Sequence, residues 1–457
     1  MKNDTLPIIK YLAVLLGTPA FFGCSDFLGV KPQSSLALLT NLAHYQAILN
    51  NETRLNGSYP FAGDYASDYY YLSEADFLSR DETGRNNYTW GGEPAHQNNW
   101  YQAYGRVYDT NVILASIDEA ALGNMHEENR NSIKGSAYFL RAYNFYHLAQ
   151  LFAPPYQQGN NDGLLGIPLR LSPDINERSY RATLDETYAR IIADLKAAVP
   201  LLPDLPAVKT LPSKAAAYAA LSRVYLTMQH YAEAGAYADS SLRLQPALID
   251  YNDLDTMSAQ PQFPALNEEV IFHATCGNFS AILSNSRAGV DTTLYGRYYD
   301  DDLRKSLFYR VNTQGVLGFY GNYDGSTSSS LFFGLATDEM YLTRAECYAR
   351  MGNTSAANDD LSTLLSMRYK RATYEKQTFQ DGEELLAIIL QEREKELAFR
   401  AGIRWADLRR LNLDPRFAKA LYRRIGSQVY TLEPNSPRYT FKIPYDVIRL
   451  GSIEQNP

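Results

Sequence analysis

Apolar residues recur with helical spacing in several separated stretches. After Pro212, Ser213 stands where a helix N-cap would, and Ala217, Ala220, Leu221, Val224 and Tyr225 follow at i, i+3, i+4, i+7 and i+8. A break at Gln229-His230 leads into Tyr231, Ala234, Ala238 and Leu242, and Pro246 closes that segment. Small residues at these offsets let two antiparallel helices approach closely while aromatics fill the gaps, as in tetratricopeptide units. The pattern returns further on. Met340, Tyr341, Ala345 and Tyr348 share a face, Gly352-Asn353 stops the helix, and Ala357 and Leu361 begin its partner. The interval from Tyr348 to Ala357 repeats that from Tyr225 to Ala234. Further helices are expected over 135–152, ended by Pro154-Pro155, over 184–202, and over 383–411. The fold class is therefore α: a tetratricopeptide-like scaffold of helix pairs with long irregular insertions. A pure solenoid would show an unbroken array, and here the pairs are not contiguous.

Two insertions interrupt the scaffold, and long loops in a compact domain commonly carry function. Residues 59–108 hold 9 Tyr, 2 Trp and 2 Phe, about twice the 13% aromatic share of the whole chain. The second, 287–333, carries Tyr295, Tyr298, Tyr299, Tyr309, Tyr320 and Tyr323 and a turn-rich stretch at 321–330. Sugar rings stack their C–H faces on aromatic planes, and Asp, Asn and Arg bond their hydroxyls. Trp90 stands out because its surroundings, Asp81, Arg85, Asn86 and Asn87, are polar and show no helical period. Of Tyr69-Tyr70-Tyr71, at least one is expected to be packed inward, since neighbours on an extended chain face opposite ways.

The amino terminus has the dimensions of an export signal. Lys2 and Lys10 precede an apolar run over 11–22, too short to span a bilayer, that ends at Gly23-Cys24. A cysteine directly after a small residue at that point is expected to become the first mature residue and carry lipid. The departure from the usual lipoprotein pattern is Phe21, where an aliphatic residue is normal. Lipid on Cys24 would be the sole membrane attachment, because no other long apolar run exists. Beyond it only Cys276 and Cys347 remain, too few for a disulfide scaffold, and their pairing is left open.

A formal net charge of −8 argues against nucleic-acid binding, which needs basic surface to neutralise phosphates. The six His residues show no metal-ligand spacing, and there is no phosphate loop or nucleophile elbow, so no cofactor, metal or catalytic residue is assigned. Residues 322–326 resemble part of a calcium loop but read as a turn. The carboxylates of 392–396 could suggest glycoside hydrolysis, yet charges three and four apart on a helix read as ion pairs, as do those of 404–410 around a packed Trp405.

Several blocks together resemble the SusD/RagB family of nutrient-binding lipoproteins. They begin with Cys24-Ser25-Asp26-Phe27-Leu28-Gly29-Val30-Lys31-Pro32, then Trp100 and Tyr104 leading to Asn111 and Leu114. Gly135, Ala137 and Phe139-Leu140-Arg141-Ala142-Tyr143 follow, with Leu151-Phe152. Later come Asp338-Glu339-Met340-Tyr341-Leu342 with Arg344-Ala345-Glu346, Glu392-Arg393-Glu394-Lys395-Glu396-Leu397-Ala398-Phe399, and Gly402, Arg404-Trp405 and Asp407-Leu408-Arg409-Arg410. Lys442-Ile443-Pro444 and Gln455-Asn456-Pro457 close the series. The resemblance implies a signal at 1–23, an N-terminal region at 24–250 and a C-terminal region at 251–457. It implies a non-catalytic, lipid-anchored outer-membrane protein, facing the cell surface, that captures oligosaccharides for a SusC-type TonB-dependent transporter. Oligopeptide capture by the same kind of transporter system is the alternative, and a secreted glycosidase a more distant one. The ligand site is expected to be shallow and built by both insertions, with Trp90, Tyr295 and Tyr323 stacking and Asp68 and Arg85 orienting the ligand.

Overall fold

The computed structural model describes residues 39–255, 262–277, 284–323, 325 and 330–457. Its longer helices are α1 Leu42–Leu49, α2 Asn98–Ser116, α3 Glu127–Phe152, α4 Leu184–Ala198, α5 Lys214–Thr227, α6 Tyr231–Leu244, α7 Thr337–Arg350, α8 Thr354–Ser366, α9 Gly382–Glu396 and α10 Ile403–Leu411. They pack in succession, α2 on α3, α3 on α4, α5 on α6, α6 on α7, and α7 on both α8 and α9. Cys24 and the expected signal lie outside the described residues.

Local chemistry starts and stops these helices where the pattern places them. Ser213 accepts the Ala216 N–H and caps α5. Thr183 and Glu186 close a reciprocal capping box on α4. Gly352, at φ +79°, ends the turn after α7, and Asn353 accepts the Ala356 N–H to start α8. The α5–α6 pair is held as its small residues predict: Ala234 and Ala238 are fully buried, and Ser222 and Ser241 donate to carbonyls of the facing helix at 2.8 and 3.0 Å. Tyr225 and Tyr237 stack with centroids 5.6 Å apart. A Cβ on Gly235 would sit 3.1 Å from Cys347 Cβ, so α6 and α7 approach through that glycine. Cys276 and Cys347 are both buried, and Cys276 Sγ accepts the Leu331 N–H at 3.1 Å.

The helix expected over 383–411 is two helices. Phe399 at φ +58° and Gly402 at φ +78° break it, and α10 starts in a new direction. That break brings Trp405 under Gly63, where an added Cβ would meet the Trp405 side chain at 2.8 Å. Among the described residues the strands are short and antiparallel, in five pairs: β1 Tyr70–Leu72 with β5 Ala288–Val290, β2 Leu165–Pro168 with β3 Arg181–Thr183, β4 Val270–Phe272 with β8 Leu335–Ala336, β6 Tyr309–Val311 with β7 Leu317–Phe319, and β9 Leu421–Ile425 with β10 Gln428–Leu432.

The regions before and after residue 250 share one core, and Thr40–Pro457 forms one compact unit. Tyr143 of α3 donates its hydroxyl to the Phe333 carbonyl at 2.6 Å and packs edge-on against Phe272. Arg223 of α5 is buried and donates to both carboxylate oxygens of Glu339 and to the Gly334 carbonyl. The acidic run of α9 is ion-paired inside the protein. Arg304, with no exposed side-chain surface, contacts Asp302 at 2.7 Å, Glu392 at 2.7 Å and Glu396 at 3.0 Å. Arg368 joins Glu396 to Glu269, and Lys395 joins Asp302 to Glu392. Each carboxylate of 392–396 therefore has a cationic partner, Glu394 pairing with Arg297 and Arg404.

Candidate functional site

The 59–108 insertion is more ordered than its sequence suggests. Short helices occupy Ala62–Ala66, Glu74–Leu78 and Glu82–Tyr88, started by local side-chain caps at Ser73 and Asp81 in the latter two. The first is fixed from outside: the fully buried Asn99 accepts the N–H groups of Phe61 and Ala62 at 2.6 and 3.0 Å. Arg106, also buried, donates to the carbonyls of Gly57 and Ser58 at 3.0 and 3.4 Å and holds Ser58 at φ +56°. Burial pulls its guanidinium down to about 10. A non-glycine residue at that φ is costly and persists because the surroundings hold it.

These elements enclose a cavity of about 470 Å³, lined by Ser58, Phe61, Tyr65, Arg80, Asn87, His96, Asn98 and Gln102 among others. Phe61 is the centre of an aromatic wall, 5.2 Å from Tyr65 and 5.9 Å from His96 by ring centroids. The same cavity is lined by polar side chains. Asn87 spends its amide N–H on the Ala62 carbonyl at 3.2 Å, and its Oδ1 is buried without a hydrogen-bond partner. The side chains of Asn98 and Gln102, four apart on the first turns of α2, have no partner among the described residues. In the Ala62–Ala66 helix, Asp64 is buried and its carboxyl is raised to about 7 by burial, although its two oxygens share the Gly402 N–H at 2.9 and 3.1 Å. An aromatic wall in one cavity with free amide groups suits a ligand with C–H faces and hydroxyl edges.

None of the five residues singled out from the sequence lines this cavity. Trp90 is corrected to an internal position: it is 3% exposed, its indole N–H donates to the Ala66 carbonyl at 2.8 Å, and Arg423 covers its ring at 4.7 Å. Tyr323 is likewise internal, 2% exposed, bonded through its hydroxyl to Glu269 and covered by Arg400 at 3.2 Å. Asp68 lies in a salt bridge with Arg404 at 2.7 Å and Lys419 at 2.7 Å. Burial opposes its ionisation, but the two cations outweigh it and hold the carboxyl well below the usual range. Arg85 donates to the carbonyls of Leu78 and Arg80, closing the end of the Glu74–Leu78 helix. Tyr295 is half-buried, edge-on to Tyr309 with Lys305 over its ring. The 287–333 insertion contributes no described residue to the cavity. Apart from Ser58 and Gly277, the residues that do line it belong to the 59–108 insertion, and the spacing of Asn98 and Gln102 on a helix start was the readable signal for them.

The chain resembles known proteins along most of its length. Residues 26–226 match a SusD-like family model described as starch-binding and associating with the outer membrane, and residues 321–445 match the SusD family model. A SusD-like protein P2 from Formosa agariphila is 26% identical over an alignment of 488 positions that covers 90% of this chain and 91% of that one. Among solved structures, a SusD superfamily protein from Bacteroides thetaiotaomicron is similar with a TM-score of 0.74 at 20% identity, over 92% of this chain and 100% of that one. A putative sugar binding protein from Bacteroides vulgatus gives the same score and identity over 92% and 98%. With two family models in chain order and a helical fold that agrees with both structures, the chain belongs to the SusD/RagB family.

Proposed function

We propose that this protein captures oligosaccharides at the outer face of the outer membrane, in the cavity between Phe61 and Gln102, and passes them to a SusC-type TonB-dependent transporter. The observation that carries the reading is the joint presence, in one cavity, of the Tyr65, Phe61 and His96 rings and the unspent side-chain amides of Asn98 and Gln102. Sugar hydroxyls would bond those amides, and the ring's C–H face would cover Phe61. The descriptions of the matching family model and of the Bacteroides vulgatus relative support a sugar as ligand. No described helix is long and apolar enough to cross a membrane, which fits attachment through lipid on Cys24.

The test is calorimetry of the protein against malto-, cello-, laminari- and xylo-hexaose, with mixed oligopeptides as the contrasting panel. Heat from one hexaose class, with the sugar recovered intact and the heat abolished in an Asn98→Ala/Gln102→Ala variant of unchanged melting temperature, is the expected result. Heat from peptides alone would transfer the site to peptide capture, and release of shorter sugars would revive hydrolysis.

A further inference from the structure

A second cavity, of about 450 Å³, opens on the opposite part of the sequence and shares no lining residue with the first. Its walls come from α8, α9, the 367–381 connection and the 287–333 insertion, through Leu365, Tyr369, Tyr374, Phe379, Gln391 and Tyr299. Tyr299 is 72% exposed, the most exposed of the large aromatic side chains in that insertion, and nothing in the scaffold requires its ring there. Tyr369 and Tyr374 stand 6.1 Å apart by centroids. Both are held from behind: Lys395 donates to the Tyr369 hydroxyl at 3.1 Å, and the Tyr374 hydroxyl is bonded to Ser362. Phe379 is pinned through its backbone by Asn358, which accepts its N–H and donates to its carbonyl, both at 2.9 Å. The aromatic faces are thus pre-set, which lowers the ordering cost of binding on them.

The polar groups around these rings are not spent internally. Glu375, Gln377 and Gln391 line the cavity with no side-chain partner among the described residues. Asp301, by contrast, is tied to Thr373 at 3.1 Å, and Glu392 is committed to Arg304 and Lys395. What remains is the four rings of Tyr299, Tyr369, Tyr374 and Phe379, two free amides and one free carboxylate. That set offers stacking area together with both donors and acceptors at its rim. A peptide would need a run of open backbone groups to pair with, and two of the walls are helices whose interior backbone groups are already bonded.

We propose that this cavity is a second carbohydrate site, taking a neutral pyranose segment against Tyr299 and Tyr374 with its hydroxyls on Gln377 and Gln391. The inference rests on the sugar-capture reading of the first cavity and adds a second binding point per chain. Binding at two points would strengthen the hold on longer chains over short fragments wherever one glycan reaches both.

The experiment is a stoichiometry measurement by calorimetry on the whole protein, using the same four hexaoses, with Tyr299→Ala/Gln391→Ala compared against Asn98→Ala/Gln102→Ala. All four positions are at the surface or half-buried, and unchanged melting curves would confirm folding. Two hexaose molecules per wild-type chain, falling to one in either variant, is the expected result. Tyr299→Ala alone should weaken the second event by about tenfold, the loss of one stacked ring. A single binding event removed by Asn98→Ala/Gln102→Ala and untouched by Tyr299→Ala/Gln391→Ala would overturn the second site and leave the first intact. No heat from any hexaose in the wild type would overturn both readings together. Peptide heat lost only in Tyr299→Ala/Gln391→Ala would overturn the sugar assignment of this cavity.

Discussion

The guanidinium of Arg423 stands 4.7 Å from the ring centroid of Trp90. The same group lies 3.7 Å from the Tyr88 ring and donates to the carbonyls of Tyr65, Tyr88 and Ser67. One arginine from β9 thereby gathers the helices of the 59–108 insertion around itself. Trp90 is the apolar lid of that arrangement. Trp90→Ala is expected to cost about 3–5 kcal/mol of stability, the usual range for a buried aromatic truncation. Urea unfolding would read this directly. Sugar binding by the fraction that stays folded should change little, and a selective loss of binding at constant stability would return Trp90 to the ligand.

Asp64 makes stability depend on pH. Its folded value of about 7 lies above the unfolded value near 3.8, so the folded state holds the proton more tightly. Its contribution is complete below about pH 4 and is lost as pH rises through about 7. Burial raises Asp338 in the same way, beside Arg400. Melting temperatures taken between pH 4 and 8 should fall less steeply for Asp64→Asn than for the wild type, the difference corresponding to at most about 4 kcal/mol. Parallel profiles for the two proteins would show that Asp64 ionises normally.

Asp407 has the opposite sign. Burial opposes its charge, but Arg393 and Arg410 prevail and lower it to about 2. Its stabilising contribution is present above about pH 4 and disappears as pH falls through 2. Acid unfolding of Asp407→Asn should therefore begin from a lower plateau and show a shallower decline between pH 4 and 2 than the wild type.

Arg304 is the hub of the buried ion network. Arg304→Ala would strand Asp302, Glu392 and Glu396 with only Lys395 and Arg368 to share, and is expected to cost about 3–5 kcal/mol. Arg371 is a useful contrast, since it pairs with Asp250 and Asp253 in the open. Arg371→Ala should leave the unfolding curve almost unchanged. Equal effects of the two substitutions would mean that the Arg304 network adds no more than a surface pair.

Lipid attachment predicts a simple fractionation result. In cells, the wild type should partition with outer membranes and incorporate an alkyne-tagged fatty acid, and Cys24→Ser should lose both properties. Retention of Cys24→Ser in the membrane fraction would assign the attachment to something other than that cysteine.

The sequence by itself determined the scaffold. Helix period, small residues at close-approach positions and local caps act over a few residues, so Ser213 and Gly352-Asn353 are legible one at a time. The family was legible too, because its blocks recur in order, and so was the Glu392–Lys395 pair, since spacing on a helix fixes which charges share a face, whereas Arg304 and Arg368 reach the run from distant segments. The site lies in an insertion that composition marked, but its lining residues were decided elsewhere. Whether an aromatic in an irregular stretch faces in or out depends on partners distant in sequence: Arg423 and Ala66 for Trp90, Glu269 and Arg400 for Tyr323, Arg404 and Lys419 for Asp68. The break at Phe399 and Gly402 was settled the same way, by packing of Trp405 beneath Gly63. Short-range periodicity carries no record of such contacts, so only the tertiary structure could separate the buried tyrosines from the ones left open to a ligand.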